Sequence, residues 1–170
     1  SNNGKYYRRI DLTVDVVAAV SARITHLIAR RFPAVGKRST ERQVETYRSS
    51  GGRKGNAIFG RPVFLLEVPG RKTGETRSVM LIYVPRGDDL VVIGSGGGST
   101  NTPNWYRNLM AARGGTVQVG PDRWPVSARE VDDGPERDEC WRLASKVSPG
   151  FDSYQTFVDR KIPLALLERV

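Results

Sequence analysis

A glycine-framed turn between two apolar runs is the feature that most limits how this chain can fold. The runs, Pro62–Val68 and Ser78–Val84, are rich in β-branched and aliphatic residues and predict the two strands of a hairpin. Pro69-Gly70 and Gly74 end both runs and allow the backbone to turn tightly. The sequence after Gly60 therefore has β character.

The turn is also strongly basic. It carries three cations and a hydroxyl, from Arg71, Lys72, Thr73 and Arg77. Cations on a short connection framed by glycines can form a cradle for a phosphate or a carboxylate. The alternative is a basic turn that is only solvated, and the turn by itself does not decide between the two.

Four more apolar runs predict further strands. They are Leu90–Ser95, Thr116–Gly120, Trp124–Val131 and Pro163–Glu168. Helices are predicted between them, from Pro103 through Leu109, from Pro135 to Val147, and from Ser148 through Phe157. About six mostly antiparallel strands with flanking helices indicate a mainly β fold, a small closed or nearly closed β-barrel.

The N-terminal third is different in character. Residues 1–60 hold 12 of the 27 Lys/Arg residues and 4 of the 18 Asp/Glu residues, which gives +8 of the net charge of +9. The apolar spacing predicts a helix from Asp11 that Pro33 and Gly36 end, then a short helix over Glu41–Arg48 and a flexible connector over Ser49–Gly60. We therefore divide the chain into a basic helical extension, residues 1–60, and a barrel domain, residues 61–170. The first helix either packs on the core or lies on an anionic membrane surface.

A glycine-rich loop precedes the predicted helix at Pro103. The loop contains Ser95, Gly97 and Gly98, and glycines allow a backbone to approach a flat ligand closely. Thr102 is a suitable N-cap and Pro103 a suitable first helical residue, so free N–H groups would point towards this loop. The alternative is a surface loop followed by a packing helix with Trp105 in the core.

Composition excludes several kinds of chemistry. Cys140 is the single cysteine, which excludes an internal disulfide and a multi-thiolate metal site, and His26 is the single histidine, from which we expect neither a His-based triad nor a His-rich metal site. Cys140 is expected to be a buried thiol rather than a nucleophile, because no base partner for it exists. No apolar run reaches the length of a membrane span, and no basic face interleaved with aromatics indicates a nucleic-acid partner.

Three segments taken together resemble the deazaflavin-dependent nitroreductase family. They are Gly70-Arg71-Lys72-Thr73-Gly74 with Arg77, then Trp105-Tyr106-x-Asn108-Leu109 behind a Ser-x-Gly-Gly loop, then Tyr154-Gln155 with Asp159-Arg160-x-Ile162-Pro163. The resemblance implies a split β-barrel of the FMN-binding or flavin-reductase type. It implies an oxidoreductase that uses coenzyme F-420, an 8-hydroxy-5-deazaflavin with a phosphate and a polyglutamate tail. Such members transfer a hydride from the reduced coenzyme to quinones, nitroaromatics or activated enones.

The resemblance also implies roles for particular residues. The basic turn, with Thr73, would bind the phosphate and glutamates through Arg71, Lys72 and Arg77. Ser95 would lie by the ring as the catalytic residue, since a donor such as its Oγ can steady developing negative charge. Gly97, Gly98, Trp105 and Asn108 would border the deazaflavin.

The acceptor side departs from the family's nitroimidazole-reducing members, whose substrate wall carries several tyrosines. The corresponding positions here are Ile82, Ser148, Phe151 and Tyr154, so only Tyr154 keeps a hydroxyl. This disfavours nitroimidazole reduction and favours a lipophilic small-molecule acceptor such as menaquinone. The basic N-terminus resembles the membrane-contacting segment of quinone-reducing members, so we expect a cytoplasmic protein that contacts the inner face of the plasma membrane.

Two other readings stay open at this point. The same barrel hosts FMN enzymes, and a basic turn serves either phosphate, so the cofactor could be FMN. Alternatively, the basic N-terminal third could belong to a non-catalytic module that binds anions or an anionic membrane.

Overall fold

A computed structural model describes residues 33–170 together with Ile24 and Leu27. Its helices are α1 (Pro33–Ser49), α2 (Asn104–Ala112), α3 (Pro135–Val147) and α4 (Gly150–Thr156). Its strands are β1 (Ala57–Ile58), β2 (Arg61–Pro69), β3 (Thr76–Ile82), β4 (Pro85–Arg86), β5 (Asp89–Ile93), β6 (Gly114–Val119), β7 (Asp122–Glu130) and β8 (Leu164–Arg169). Ile24 and Leu27 are helical.

The strands form one antiparallel sheet that curls into a split barrel. Their order is β1-β2-β6-β7-β8-β5-β4, and β3 pairs with the edge of β2 that faces away from β6. The sheet therefore ends at β3 and β4, which are consecutive in the chain and are joined through Tyr83 and Val84. The N–H of Tyr83 donates to the carbonyl of Pro62 (2.8 Å), and the N–H of Val91 donates to that of Val84 (2.9 Å). The prediction of a mainly β barrel with flanking helices is confirmed.

Buried residues on both faces of the strands explain why the sequence shows continuous apolar runs. In β2, Phe64, Leu66 and Val68 face the barrel interior, whereas Val63 and Leu65 face α1. In β5 and β8, alternate residues face the same interior and, on the other side, a second cluster beneath α3 and α4. Each such fully buried aliphatic or aromatic side chain contributes roughly 1.5–3 kcal/mol, so the interior and both helix-covered faces stabilise the barrel.

Helix α1 corrects the prediction for the N-terminal region. Pro33 and Gly36 belong to α1, and the short helix expected over Glu41–Arg48 is its C-terminal part. The physical reason is that proline is favoured at the first position of a helix, where its missing N–H costs nothing. The helix predicted from Asp11 lies outside the described residues, except for Ile24 and Leu27.

The segment after α1 is packed rather than only connecting. The hydroxyl of Tyr47, which is fully buried, donates to the carbonyl of Gln118 (3.2 Å) and accepts from the N–H of Gly120 (2.9 Å). Gly52 has a positive φ of 72°, and a Cβ there would lie 2.5 Å from the Cα of Gly120. These contacts attach α1 and its following turn to the barrel. The division of the chain at residue 60 stays a prediction.

Candidate active site

The basic turn between β2 and β3 is closed by its own backbone. Val68 pairs with Arg77 and Pro69 with Thr76, so the hairpin predicted from the sequence is present. The N–H of Gly70 donates to the carbonyl of Glu75 and that of Gly74 donates to the carbonyl of Gly70, both at 2.8 Å. Gly74 takes a φ of +75°, a conformation that glycine adopts without a steric penalty.

Arg71 joins this turn to the start of α2. Its Nη1 donates to Asn108 Oδ1 (2.8 Å), its backbone N–H donates to the same oxygen (3.1 Å), and its Nη2 donates to Asn104 Oδ1 (3.2 Å). Asn108 is 6% exposed, so its amide is a fixed acceptor. The guanidinium is thereby oriented by neutral amides, and among the described residues no carboxylate forms an ion pair with it.

The other residues of the turn have different partners. Lys72 is exposed. Arg77 forms an ion pair with Glu75 (3.2 Å), so a ligand anion would compete with that carboxylate. Thr73 Oγ1 accepts from the N–H of Glu75 (3.2 Å) and so supports the turn itself.

The glycine-rich loop lies between β5 and α2, next to the helix start that Arg71 contacts. Gly96, Gly97 and Gly98 take φ values of 55°, 64° and 78°. A Cβ at Gly97 would meet nothing within 4 Å, so there is space beside the loop on this side of the residue. Ser95 is 6% exposed, and its carbonyl accepts from the N–H of Gly98 (3.0 Å). The loop can therefore receive a flat ligand.

The start of α2 differs from the prediction by one residue. The helix begins at Asn104 with Pro103 at the N-cap position, and no side chain caps it, so Thr102 is not the N-cap. Proline at 103 takes an extended ψ of 148°, which moves the first helical residue to 104. The first N–H groups of α2 consequently lack a side-chain acceptor and are available to an anion or a carbonyl oxygen.

Trp105 has a mixed environment. It is half-buried, packs against the interior cluster, and meets the ring of Tyr106 edge-on at 5.5 Å between centroids. Tyr106 is buried and its hydroxyl donates to Glu130 Oε1 (2.8 Å). Helix α2 is thus fixed in the barrel by Tyr106, while Trp105 keeps part of its surface accessible. That it borders a cofactor stays a prediction.

Three of the four predicted acceptor-side residues belong to one cluster. Phe151 is buried in the cluster beneath α3 and α4, and Ile82 and Tyr154 pack against it. The rings of Phe151 and Tyr154 meet edge-on at 6.3 Å. Burial raises the pKa of Tyr154, so its hydroxyl is protonated at neutral pH. Ser148 follows α3 and donates its N–H to Ala144 (2.8 Å).

Arg160 and Gln155 were not predicted as site residues, although both stand in the third motif. The guanidinium of Arg160 donates to three carbonyls of the glycine-rich loop, and Gln155 accepts from the N–H of Ile162 (2.9 Å). The signal in the sequence was the motif Asp159-Arg160-x-Ile162-Pro163, which gave no indication of what the arginine contacts. Asn104 was likewise not predicted as a site residue, because nothing in the sequence indicates its contact with Arg71.

Two open grooves lie away from these residues, on the outer side of α3 and α4. Their volumes are about 510 and 800 Å³, and both are lined by Arg137, Trp141, Asp152 and Lys161. Neither is lined by a residue predicted for the cofactor or the acceptor. We place the candidate site at the basic turn and the glycine-rich loop instead, because free donors and cations converge there.

Among the helices in the described part, none is long and apolar enough to cross a membrane.

A split β-barrel with a cationic hairpin corner beside a glycine loop and an uncapped helix start defines an oxidoreductase of the flavin and deazaflavin class. The family model described as F420H(2)-dependent quinone reductase matches residues 39–169. The chain belongs to this family.

Individual relatives agree with the family. The F420H(2)-dependent quinone reductase Rv1261c of Mycobacterium tuberculosis (strain ATCC 25618 / H37Rv) is 34% identical over 126 residues, which cover 72% of this chain and 85% of the relative. A solved structure described as F420-H2 Dependent Reductase (FDR-A) is 37% identical, with a TM-score of 0.59, over 64% of this chain and 95% of that one. Another, described as a domain-swapped dimer, is 34% identical, with a TM-score of 0.61, over 75% of this chain and 96% of that one.

Proposed function

We propose that this protein transfers a hydride from reduced coenzyme F-420 to a quinone. Its membership in the F420H(2)-dependent quinone reductase family supports the cofactor and the reaction. The single structural observation that carries the proposal is the contact of Arg71 with Asn104 and Asn108. This contact brings the anion-binding turn to the helix that begins at the end of the glycine-rich loop.

The residues present fit such a cofactor. Arg71, Lys72 and Arg77 supply three cations for a phosphate and a glutamate tail, and arginine can bind either group bidentately. The open space at Gly97 leaves room for a ring against the backbone. When bound in its reduced form, the deazaflavin supplies a hydride, which is two electrons and one proton.

The chain's own contribution is then to orient and to donate hydrogen bonds. Hydride transfer needs a donor and an acceptor held at reacting distance, and it needs no titrating side chain at that point. Ser95 can donate from Oγ to a ring or acceptor oxygen. The hydroxyl of Tyr154, kept protonated by burial, can donate to a quinone oxygen that gains charge.

The acceptor is a lipophilic quinone in this proposal. Ile82 and Tyr154 are half-buried and pack with the buried Phe151 in one apolar cluster that has a single hydroxyl, which suits a quinone better than a polar nitroimidazole. Turnover rates measured with a menaquinone analogue, a nitroaromatic and a conjugated enone test this preference for a quinone. Faster turnover of the nitroaromatic than of the quinone would contradict it.

The cofactor is tested by fluorescence titration with coenzyme F-420, alongside FMN, at micromolar protein. We expect saturable binding of F-420, tighter than that of FMN, and weaker binding when Arg71 and Lys72 are both changed to Ala. The matched control changes Arg142 and Lys146 to Ala, since these are also an exposed arginine and lysine but lie on α3. No binding of F-420, or equal losses in both double variants, would reject the site.

We further propose that the N-terminal segment contacts an anionic membrane surface. Ile24 and Leu27 are three residues apart in a helix and are 52% and 66% exposed, so they share an apolar face open to solvent. The full chain with Ile24→Glu and Leu27→Glu should lose binding to anionic liposomes and keep its affinity for F-420. Unchanged liposome binding would contradict the membrane contact.

A further inference from the structure

Arg160 lies behind the glycine-rich loop and holds three of its carbonyls. Its Nε donates to the carbonyl of Ser99, and its Nη2 donates to the carbonyls of Gly94 and Ser95, all at 3.1 Å. The acceptors lie at the two ends of the loop, so one rigid guanidinium fixes the loop's width. Arginine suits this task because its donors have a fixed planar arrangement.

The guanidinium is an uncompensated charge. Within the part of the chain that the structure describes, no carboxylate forms an ion pair with it, and its Nη1 is the one buried side-chain nitrogen or oxygen without a hydrogen-bond partner. Burial and the neighbouring charge of Arg107 lower its pKa. A partly buried cation without a counter-charge tends to destabilise a fold, so its presence here suggests a functional role.

The orientation of the three carbonyls sets the orientation of the loop's N–H groups. In a planar trans peptide, the N–H of one residue points opposite to the carbonyl of the residue before it. The carbonyls of Gly94, Ser95 and Ser99 point towards Arg160, so the N–H groups of residues 95, 96 and 100 point away from it. In the described residues none of these three N–H groups donates to a backbone or side-chain acceptor. The face of the loop opposite Arg160 is thus a row of free donors.

The same segment connects the loop to the acceptor side. The amide of Gln155, on α4, donates to the carbonyl of Arg160 (2.9 Å), and its oxygen accepts from the N–H of the fully buried Ile162 (2.9 Å). Helix α4 also carries Phe151 and Tyr154. Arg160 therefore stands between the loop that carries Ser95 and the helix that carries the acceptor surface.

We propose that Arg160 is a positioning residue of the reaction: it turns the N–H groups of the Ser95 loop towards the carbonyl oxygens of a bound planar heterocycle and keeps this loop in register with α4. This inference rests on the proposed function, since it takes the heterocycle to be the deazaflavin. The groups that contact the ligand belong to the loop backbone, and Arg160 acts on the ligand only through that backbone.

The test compares Arg160→Met, Arg160→Lys and the control Arg86→Met. Arg86 is also a partly buried arginine, 27% exposed, but it pairs with Glu136 and Glu139 on α3. We expect Arg160→Met to weaken F-420 binding at least tenfold in the fluorescence titration, because the donor row is no longer held. Arg160→Lys should recover part of the loss, since it restores the charge without the planar fork. Arg86→Met should stay within twofold of the wild type.

A second readout does not depend on the cofactor. Hydrogen exchange of the protein without ligand, followed by mass spectrometry, should show faster exchange over residues 94–100 in Arg160→Met and no change there in Arg86→Met. Should Arg160→Met fail to fold, Arg160→Lys alone is decisive, with at least threefold weaker binding expected.

The outcomes separate this inference from the proposed function. Failure of the wild type to bind F-420 would overturn the function itself. Wild-type binding with equal affinity in a folded Arg160 variant would overturn only the positioning role. A merely structural arginine would lower the unfolding temperature of both Met variants and leave the affinity of each unchanged.

Discussion

The role of Asn108 gives the sharpest prediction. This buried amide accepts two hydrogen bonds from Arg71, one from the backbone N–H and one from the guanidinium. Asn108→Ala removes both. The freed arginine must then be ordered when the cofactor binds, and immobilising one such side chain costs about 0.5–1.5 kcal/mol. At 1.4 kcal/mol for each factor of ten, F-420 binding should weaken by roughly two- to tenfold.

The same variant should lower stability measurably. The backbone N–H of Arg71 loses its acceptor and a buried amide is truncated, which costs about 1–2 kcal/mol. For a chain of this length, 1 kcal/mol shifts the unfolding temperature by roughly 2–4 °C. Thermal unfolding without cofactor measures this shift. Asn104→Ala is the control, because Asn104 is exposed and accepts a single hydrogen bond of 3.2 Å.

A double-mutant cycle decides whether Asn108 acts through Arg71 or contacts the cofactor directly, as the sequence predicted. Arg71→Ala alone should weaken binding by about 1.5–3 kcal/mol, the usual range for a hydrogen bond to a charged group. If Asn108 only orients Arg71, adding Asn108→Ala to Arg71→Ala changes the affinity no further. Additive losses would refute the orienting role and favour direct contact.

Three further predictions concern two glycines in turns, the ionisation of Glu67 and the reactivity of Cys140. Gly97→Ala should lower the free energy of unfolding by about 1–2 kcal/mol because of the positive φ alone. Gly52→Ala should prevent stable folding, because the new Cβ would lie 2.5 Å from the backbone of Gly120. Thermal unfolding of the two variants tests this difference. Burial of Glu67 opposes its ionisation, but hydrogen bonds from two arginines outweigh this and lower its pKa below the ordinary 4.5. Its stabilising contribution is therefore complete above pH 4.5 and is lost as the pH falls through the lowered value, so urea unfolding of Glu67→Gln should differ from the wild type at neutral pH and converge with it in acid. Cys140, fully buried with a raised pKa, should resist alkylation in the folded protein, and Cys140→Ala should keep its turnover.

The sequence predicted the hairpin and the barrel because their signals are local. Apolar runs, glycines and a proline mark β2, β3 and the turn between them, and the register that pairs Val68 with Arg77 follows from the turn's length. Proline 33 shows where local signals fail, because the same residue is compatible with the end of one helix and the start of another. The structure places Pro33 at the start of α1, which continues without a break to Ser49.

The candidate site was predictable in part, for a related reason. Side chains that match a ligand's charge, such as Arg71 and Lys72, can be recognised by their type and their place in a turn. Arg160 could not be assigned in this way, since its partners are backbone carbonyls, which every residue has. The pairing of Arg71 with Asn108 was hidden too, because 37 residues separate them and neither needs the other for its local structure.

The basic turn and Arg160 should differ in how strongly salt weakens their contribution to F-420 binding. At the turn, Arg71 and Lys72 are exposed, so their attraction for an anionic tail is screened within about 3 Å at 1 M salt but only within about 10 Å at 0.1 M. Arg160 is partly buried behind the loop, where salt screens it much less. The affinity of the wild type for F-420 should therefore fall as salt is raised. The double change of Arg71 and Lys72 to Ala should flatten this dependence, whereas Arg160→Met should lower the affinity and keep the wild-type slope. An unchanged slope in the double variant would show that the cofactor's charges are bound elsewhere on the molecule.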